Sequence, residues 1–308
     1  MYGHPLRIRS PWTQLAYFLG ITGAAYVISF LLMIAALRAN GINPMQPDSI
    51  QWDDPRVLSL LKIMQAVSTV LMFFVPAYLY ARFSFTGKYF HLLGFKAPIR
   101  LNMFVLSVMV ILLAFPFVFW LGKLNQDIPL PAWMKGLENN ASEQMEAFLK
   151  VKSGWDVPVN LFIIALLPAV CEEMFFRAAL QRIMIHISRN PWLGIIISGF
   201  LFSAFHMQFE GFLPRMFLGI ILGALYWYSG SIWTSITAHF VNNAVQVLVV
   251  SFIPKYANDN PPVPLYAAMV SGIAVWAILH FYRKQSTIRF SKVYETEELN
   301  PHDQWLAK

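Results

Sequence analysis

Residues 157–187 read VPVNLFIIALLPAVCEEMFFRAALQRIMIHI, and the reading of this run decides the fold. It exceeds the roughly 20 apolar residues that cross a hydrocarbon core as a helix. Yet Cys171-Glu172-Glu173-Met174-Phe175-Phe176-Arg177 sets two adjacent carboxylates and a guanidinium inside it. On insertion scales each such charge at mid-membrane costs about 2.5–3.5 kcal/mol, so charges placed there need partners and mark function. On a helix Glu173 and Arg177 lie four apart on one face and can pair. Glu172 points about 100° away, into the bundle interior. One carboxylate is held by the arginine and the other is left free for chemistry.

The rest of the chain has the same character. Of its 308 residues 57% are hydrophobic and 13% charged, whereas a soluble domain carries about 25% charged residues. The composition is that of a polytopic membrane protein, and the expected fold is an all-α bundle of about eight transmembrane helices. The single cysteine, Cys171, excludes an intramolecular disulfide and any CxxC metal motif, and reads as a small buried side chain. A net charge of +7 does not point to nucleic acid, because the basic residues are scattered between apolar spans rather than gathered on one face. No cleavable signal peptide is expected: the first apolar run is too long for one and lacks a small-residue cleavage site.

The spans are expected at 11–37, 57–81 (with a kink at Pro76), 101–122, 157–187, 191–207, 209–228, 231–253 and 264–282. The tight, uncharged Ser229-Gly230-Ser231 separates the sixth from the seventh. Residues 123–156 form the longest polar stretch, in which 138–152 has the pattern of an amphipathic helix, read as a surface or capping helix in preference to a gate. Eight spans place both termini on one side. Arg7, Arg9, Arg82, Lys88, Lys96, Arg100, Arg182 and Arg189 fall there. Asp48, Asp53, Asp54, Asp127, Glu138, Glu143 and Glu146 fall opposite. The positive-inside rule then makes both termini cytoplasmic. No internal repeat of the transporter kind is present. The chain divides into N-terminal membrane helices with the long extracytoplasmic loop (1–156), a core (157–253), and a last helix with a cytoplasmic tail (254–308).

Few other strongly polar groups are expected deep in the spans. His206 closes Phe202-Ser203-Ala204-Phe205-His206, with Phe202 one turn below to pack its ring. His239 and Asn243 lie four apart, an imidazole and an amide on one helical face. Buried polar groups demand partners, and these can supply one another. Two chemistries use the set. In one, Glu172 is a general base that deprotonates water, His206 shares in positioning that water, and His239 with Asn243 donates to an oxyanion. In the other, His206, His239 and Glu172 bind Zn2+, with a fourth position left for water. Both hydrolyse an amide.

Glu172-Glu173-xxx-Arg177, Phe202-xxx-His206 and His239-xxx-Asn243, in that order on successive apolar spans, resemble the three motifs of the CPBP intramembrane proteases. That group holds the CAAX prenyl endopeptidases of the Ras-converting type and bacterial relatives linked to bacteriocin processing and self-immunity. The resemblance covers residues 160–250. It implies an intramembrane endopeptidase with a cavity inside the membrane, acting on a membrane-associated or lipidated peptide or protein. It implies Glu172 as base, His206 as its partner on the water and His239 with Asn243 as the oxyanion site, with Glu173 and Arg177 in support. The family has been described both as metal-dependent and as glutamate-dependent, so zinc stays open. The compact loops suit a bacterial plasma-membrane protein. Two other classes stand beside this reading: a proton-coupled transporter using the carboxylate and histidines as a relay, and a non-catalytic immunity or scaffold protein.

Overall fold

The computed structural model describes residues 7–8, 10–43, 52, 54–86, 88–253, 255 and 261–295. Residues 1–6, Arg9, the loop acids Asp48 and Asp53, and the tail beyond residue 295 lie outside the described residues.

The described chain is all-α. Its main helices are α1 Pro11–Ala39, α2 Pro55–Ser84, α3 Asn102–Gln126, α4 Ala132–Leu149, α5 Asp156–Ser188, α6 Pro191–Phe205, α7 Phe212–Ser229, α8 Ile232–Phe252 and α9 Leu265–Gln285. Among the described residues seven of these are long and apolar enough to cross a membrane: α1, α2, α3, α5, α7, α8 and α9. The protein is an integral membrane protein.

Burial sorts these helices into layers. The most apolar stretches of α5 and α7 are 56% and 61% buried, whereas those of α1, α2, α3 and α9 are only 17–22% buried. Leu31, Val105 and Val270 are among the large apolar side chains left exposed on the outer helices, as a lipid-facing surface requires. Helix α5 is therefore the axis, packed against α1, α2, α6, α7 and α8.

Small residues set the closest approaches. A Cβ added at Gly219 of α7 would lie 3.0 Å from the Cα of Gly199 on α6, so these two backbones touch. A Cβ added at Gly194 would lie 2.7 Å from the backbone nitrogen of Ile185 on α5.

The prolines open the helices where a neighbour can complete them. Beside Pro116 in α3, the Ser271 hydroxyl of α9 donates to the Leu113 carbonyl (2.5 Å) and accepts from the Phe117 N–H (3.2 Å). A wide π turn at Val70–Phe74 immediately precedes Pro76 in α2, where the kink was expected. A second, Leu161–Leu166, precedes Pro168 in α5.

Two expectations need correction. The fifth span is shorter than 191–207: α6 has 15 residues, fewer than a full crossing needs. It starts at Pro191, with the Asn190 side chain accepting from the N–H groups of Trp192 and Leu193. It ends at Phe205, because Met207 takes a left-handed conformation (φ 53°) that turns the chain out of the helix. The amphipathic helix runs Ala132–Leu149 rather than 138–152, starting directly after Pro131, whose fixed φ suits a helix entrance. Tight turns at Arg189 (φ 53°) and Gly230 (φ 64°) join α5 to α6 and α7 to α8, and the latter separates the sixth and seventh spans as expected.

Gly194→Ala is expected to destabilise the protein by about 1–3 kcal/mol through overpacking against α5. Gly20→Ala, with nothing within 4 Å of the added Cβ, should be neutral or slightly stabilising because alanine is the better helix former. Thermal unfolding of the two variants in detergent checks the contrast.

Candidate active site

The α5 run places its two carboxylates in different surroundings. Glu173 and Arg177 have no solvent exposure and form an ion pair one helical turn apart, Nε to Oε2 3.2 Å. The other oxygen of Glu173 faces His239 Nδ1 of α8 at 3.0 Å. Arg177 also donates from Nη2 to the Gly219 carbonyl of α7 (3.2 Å), and its guanidinium carbon lies 4.5 Å from the centroid of the Phe202 ring on α6. A buried ion pair is tolerable only with such further contacts around it. This one ties α5 to three other helices.

Glu172 is treated differently. Its Oε2 is buried and has no hydrogen-bond partner among the described residues. It faces the Nε2 atoms of His206 at 4.0 Å and His239 at 3.9 Å. Both imidazoles have their other nitrogen committed, since His206 Nδ1 lies 2.7 Å from the Phe202 carbonyl and His239 Nδ1 contacts Glu173. A carbonyl and a carboxylate are acceptors, so each Nδ1 carries the proton and each Nε2 is directed at Glu172. Phe202 holds both rings edge-on, at centroid distances of 5.0 Å to His206 and 5.7 Å to His239.

The two histidines arrive by different routes. His239 sits two turns into a regular helix. His206 stands just beyond the end of the short α6, partly exposed, with Nε2 facing Glu172. The segment after it is held from several sides. Asn125 of α3 donates to the Phe209 carbonyl (2.7 Å) and accepts from the Leu213 N–H (2.6 Å), and Glu138 of α4 accepts from the N–H groups of Phe209 and Glu210 (2.7 and 3.3 Å). The Trp133 ring of α4 also lies edge-on to Phe209 at 5.8 Å. The amphipathic helix is thus docked over this segment, with Phe148 and Leu149 buried beneath it.

Asn243 shares a face of α8 with His239, four residues apart, and makes contacts of its own. Its amide nitrogen donates to the Ile164 carbonyl (3.4 Å) and its oxygen accepts from Asn242 (3.1 Å). Pro168, four residues on, has no N–H to offer that carbonyl, so the Ile164 oxygen is open to an outside donor. Cys171 is buried, as its sequence setting indicates.

The donor set of Glu172, His206 and His239 has the chemistry of a zinc site but not its spacing. Tetrahedral ligands at about 2.0–2.1 Å from zinc stand about 3.3 Å apart. The two carboxylate–imidazole separations here are 3.9 and 4.0 Å, and among the described residues no three His, Cys, Asp or Glu side chains are spaced to hold a metal ion.

The sequence reading passed over three groups near the site. Arg215, in the first turn of α7, donates to the Gln208 carbonyl and side chain. Glu138 is read from sequence only as an extracytoplasmic acid at the start of the amphipathic helix. Tyr26 of α1 packs edge-on against Phe205 at 6.0 Å, within electrostatic reach of Glu172. A lone cation in an apolar span was signal enough for Arg215, as it was for Lys62, which is buried in α2 and donates to Asn160 (2.8 Å). No pattern marks Tyr26.

Residues 154–245 match the family model described as Rce1-like, type II CAAX prenyl endopeptidase. This part of the chain is similar to that family. All three motifs fall inside the Rce1-like segment, which covers less than a third of the chain. The chain is also 29% identical over 107 residues to "Uncharacterized protein YpbD" of Bacillus subtilis (strain 168), a match covering 33% of this chain and 51% of that protein. It therefore spans about half the length of the curated relative it matches. No solved structure matches.

Arg177→Met would strand the Glu173 carboxylate without its cation and is expected to cost about 3–5 kcal/mol of stability. Adding Glu173→Gln should recover most of that loss. Denaturation of both singles and the double variant in detergent, read as a double-mutant cycle, measures the coupling.

Proposed function

We propose that this protein is an intramembrane endopeptidase that hydrolyses a peptide bond of a membrane-associated or lipidated substrate, with Glu172 activating the water. One observation carries the reading: a buried carboxylate without a protein partner faces two imidazole nitrogens at 3.9 and 4.0 Å. Such separations suit a bridging water, which sits about 2.8 Å from each group it contacts.

Glu172 takes a proton from that water as its oxygen adds to the scissile carbonyl carbon. His206 orients the water through Nε2, its own ring fixed by the Phe202 carbonyl. The carbonyl oxygen becomes an oxyanion, which receives hydrogen bonds from His239 and from Asn243. The Asn243 bond to Ile164 is long for N–H···O, so the amide can turn to a stronger acceptor. The tetrahedral carbon then expels the amine, which takes its proton from Glu172. The products are a carboxylic acid and an amine, and Glu172 is again a carboxylate. Glu173 and Arg177 hold His239 in place without touching substrate.

The Rce1-like match supports peptide-bond hydrolysis at the family level, and the substrate it favours is a peptide near a prenylated cysteine. The compact loops favour a bacterial plasma membrane, and the basic residues near the N-terminus and in the 82–100 loop favour the cytoplasmic side for those segments.

Glu172→Ala, His206→Ala and His239→Ala are each expected to abolish cleavage of a prenylated peptide while the protein still elutes as folded material. Asn243→Ala should lose on the order of 10²–10³ in rate, as for one oxyanion donor. Wild-type cleavage retained in His206→Ala would sink the mechanism. Elemental analysis of purified protein tests the water reading: cleavage in chelator with little bound zinc is expected. Near-stoichiometric zinc, lost in Glu172→Ala and His239→Ala, would turn the three side chains into metal ligands.

A further inference from the structure

Asn242 stands next to the oxyanion donor Asn243 and has no part in the mechanism above. It lies on α8 and is only 7% exposed. Its amide nitrogen donates to the Asn243 side-chain oxygen at 3.1 Å. Its own side-chain oxygen is buried and has no hydrogen-bond partner among the described residues. A buried acceptor without a donor destabilises a fold, and more so at membrane depth, where no bulk water replaces the partner. An apolar side chain at this position would carry no such penalty. What the asparagine contributes is its donor.

That donor decides which way the Asn243 amide faces. A carbonyl only accepts, so the Asn243 atom facing the Ile164 carbonyl of α5 is the amide nitrogen. At 3.4 Å this contact is long, and by itself it holds the amide weakly. The oxygen at the other end of the group faces Asn242, where a donor at 3.1 Å completes the orientation. Turned end for end, Asn243 would set its oxygen against the Ile164 carbonyl and its nitrogen against the Asn242 nitrogen. Acceptor would then face acceptor, and donor would face donor. In the observed orientation one N–H of Asn243 is engaged by Ile164 and the second stays available.

We infer that Asn242 is a positioning residue, which holds the Asn243 amide with its nitrogen, and never its oxygen, toward the developing oxyanion. This rests on the endopeptidase reading above. An oxyanion site works because its donors are already aimed before charge develops. An Asn243 amide free to turn would offer its oxygen to the oxyanion in part of the molecules and repel it. The run from the Ile164 carbonyl through the Asn243 amide to the Asn242 amide carries that aim from α5 into α8. The orphaned Asn242 oxygen is where the run ends. Asn242 acts only through its neighbour.

The test replaces the donor in full-length protein. Asn242→Leu repeats the branching of asparagine without its polar atoms, and Asn242→Ala covers the case in which leucine does not fit. The unfolding temperature in detergent should stay unchanged or rise, because the orphaned oxygen is removed with the donor. The kcat for a prenylated peptide should fall on the order of ten- to a hundredfold with KM unchanged, as for a misaimed group. In an Asn243→Ala background the same substitution should change kcat by about twofold or less, since no amide is left to hold. A binding measurement needs no turnover. On Glu172→Gln protein a peptide phosphonamidate, which carries the tetrahedral anionic oxygens of the intermediate, should lose on the order of tenfold in affinity on Asn242→Leu, while the parent peptide binds as before. Wild-type kcat in both Asn242 variants, or an equal loss with and without Asn243, overturns the inference and leaves the endopeptidase reading standing. A lower unfolding temperature with a matching loss of parent-peptide binding would assign Asn242 to packing alone and overturn it too. Wild-type protein that neither cleaves the peptide nor prefers the phosphonamidate removes the endopeptidase reading, and the inference with it.

Discussion

The Glu173 carboxylate is the contact on which the rest of the site depends. Its two oxygens serve different helices, one facing Arg177 on its own turn of α5 and the other facing His239 on α8. Arg177 extends the connection to the Gly219 backbone on α7 and the Phe202 ring on α6. A charge at this depth is stable only when its partners stay in place. The energetic demand of one buried acid therefore fixes the relative position of four helices. The division of labour between the adjacent glutamates follows. Glu173 takes the available cation and imidazole proton, and Glu172 is left facing two imidazoles whose other nitrogens are already committed.

Around that contact the bundle departs from regular helix where departures can be satisfied. Non-helical backbone survives at membrane depth only when protein covers it. The segment after His206 meets this condition, with Asn125 and Glu138 binding its carbonyl and N–H groups from two other helices. The prolines obey the same rule. Ser271 bridges the backbone opened beside Pro116, and Asn243 meets the Ile164 carbonyl that Pro168 cannot serve. Close glycine contacts let α5, α6 and α7 approach far enough for short polar side chains to reach one another.

Much of this was legible in the chain. Membrane spans announce themselves through hydropathy, because lipid permits few polar residues. The i, i+4 spacing of Glu173 and Arg177 needs only a helix to become a pair, and it did. Phe202 under His206 is the same kind of local fact, and it too appears as a ring contact. What was misjudged is what lies beyond one turn. The length of α6 depends on a left-handed residue at Met207, and nothing in its composition marks it. Asn243 shares a helical face with His239, but its partner is chosen by a carbonyl that a proline on another helix leaves open. Arg215 was visible as a cation in an apolar span and was passed over because it belongs to no spaced motif.

By itself the sequence determined the all-α membrane class, most of the spans, and the inward-facing polar residues. Each is set by transfer energy and helical period, which act residue by residue. Only the tertiary structure decided that the free carboxylate faces two imidazoles and which nitrogen of each histidine is available. Those outcomes depend on distances between helices far apart in the chain, and packing alone sets them.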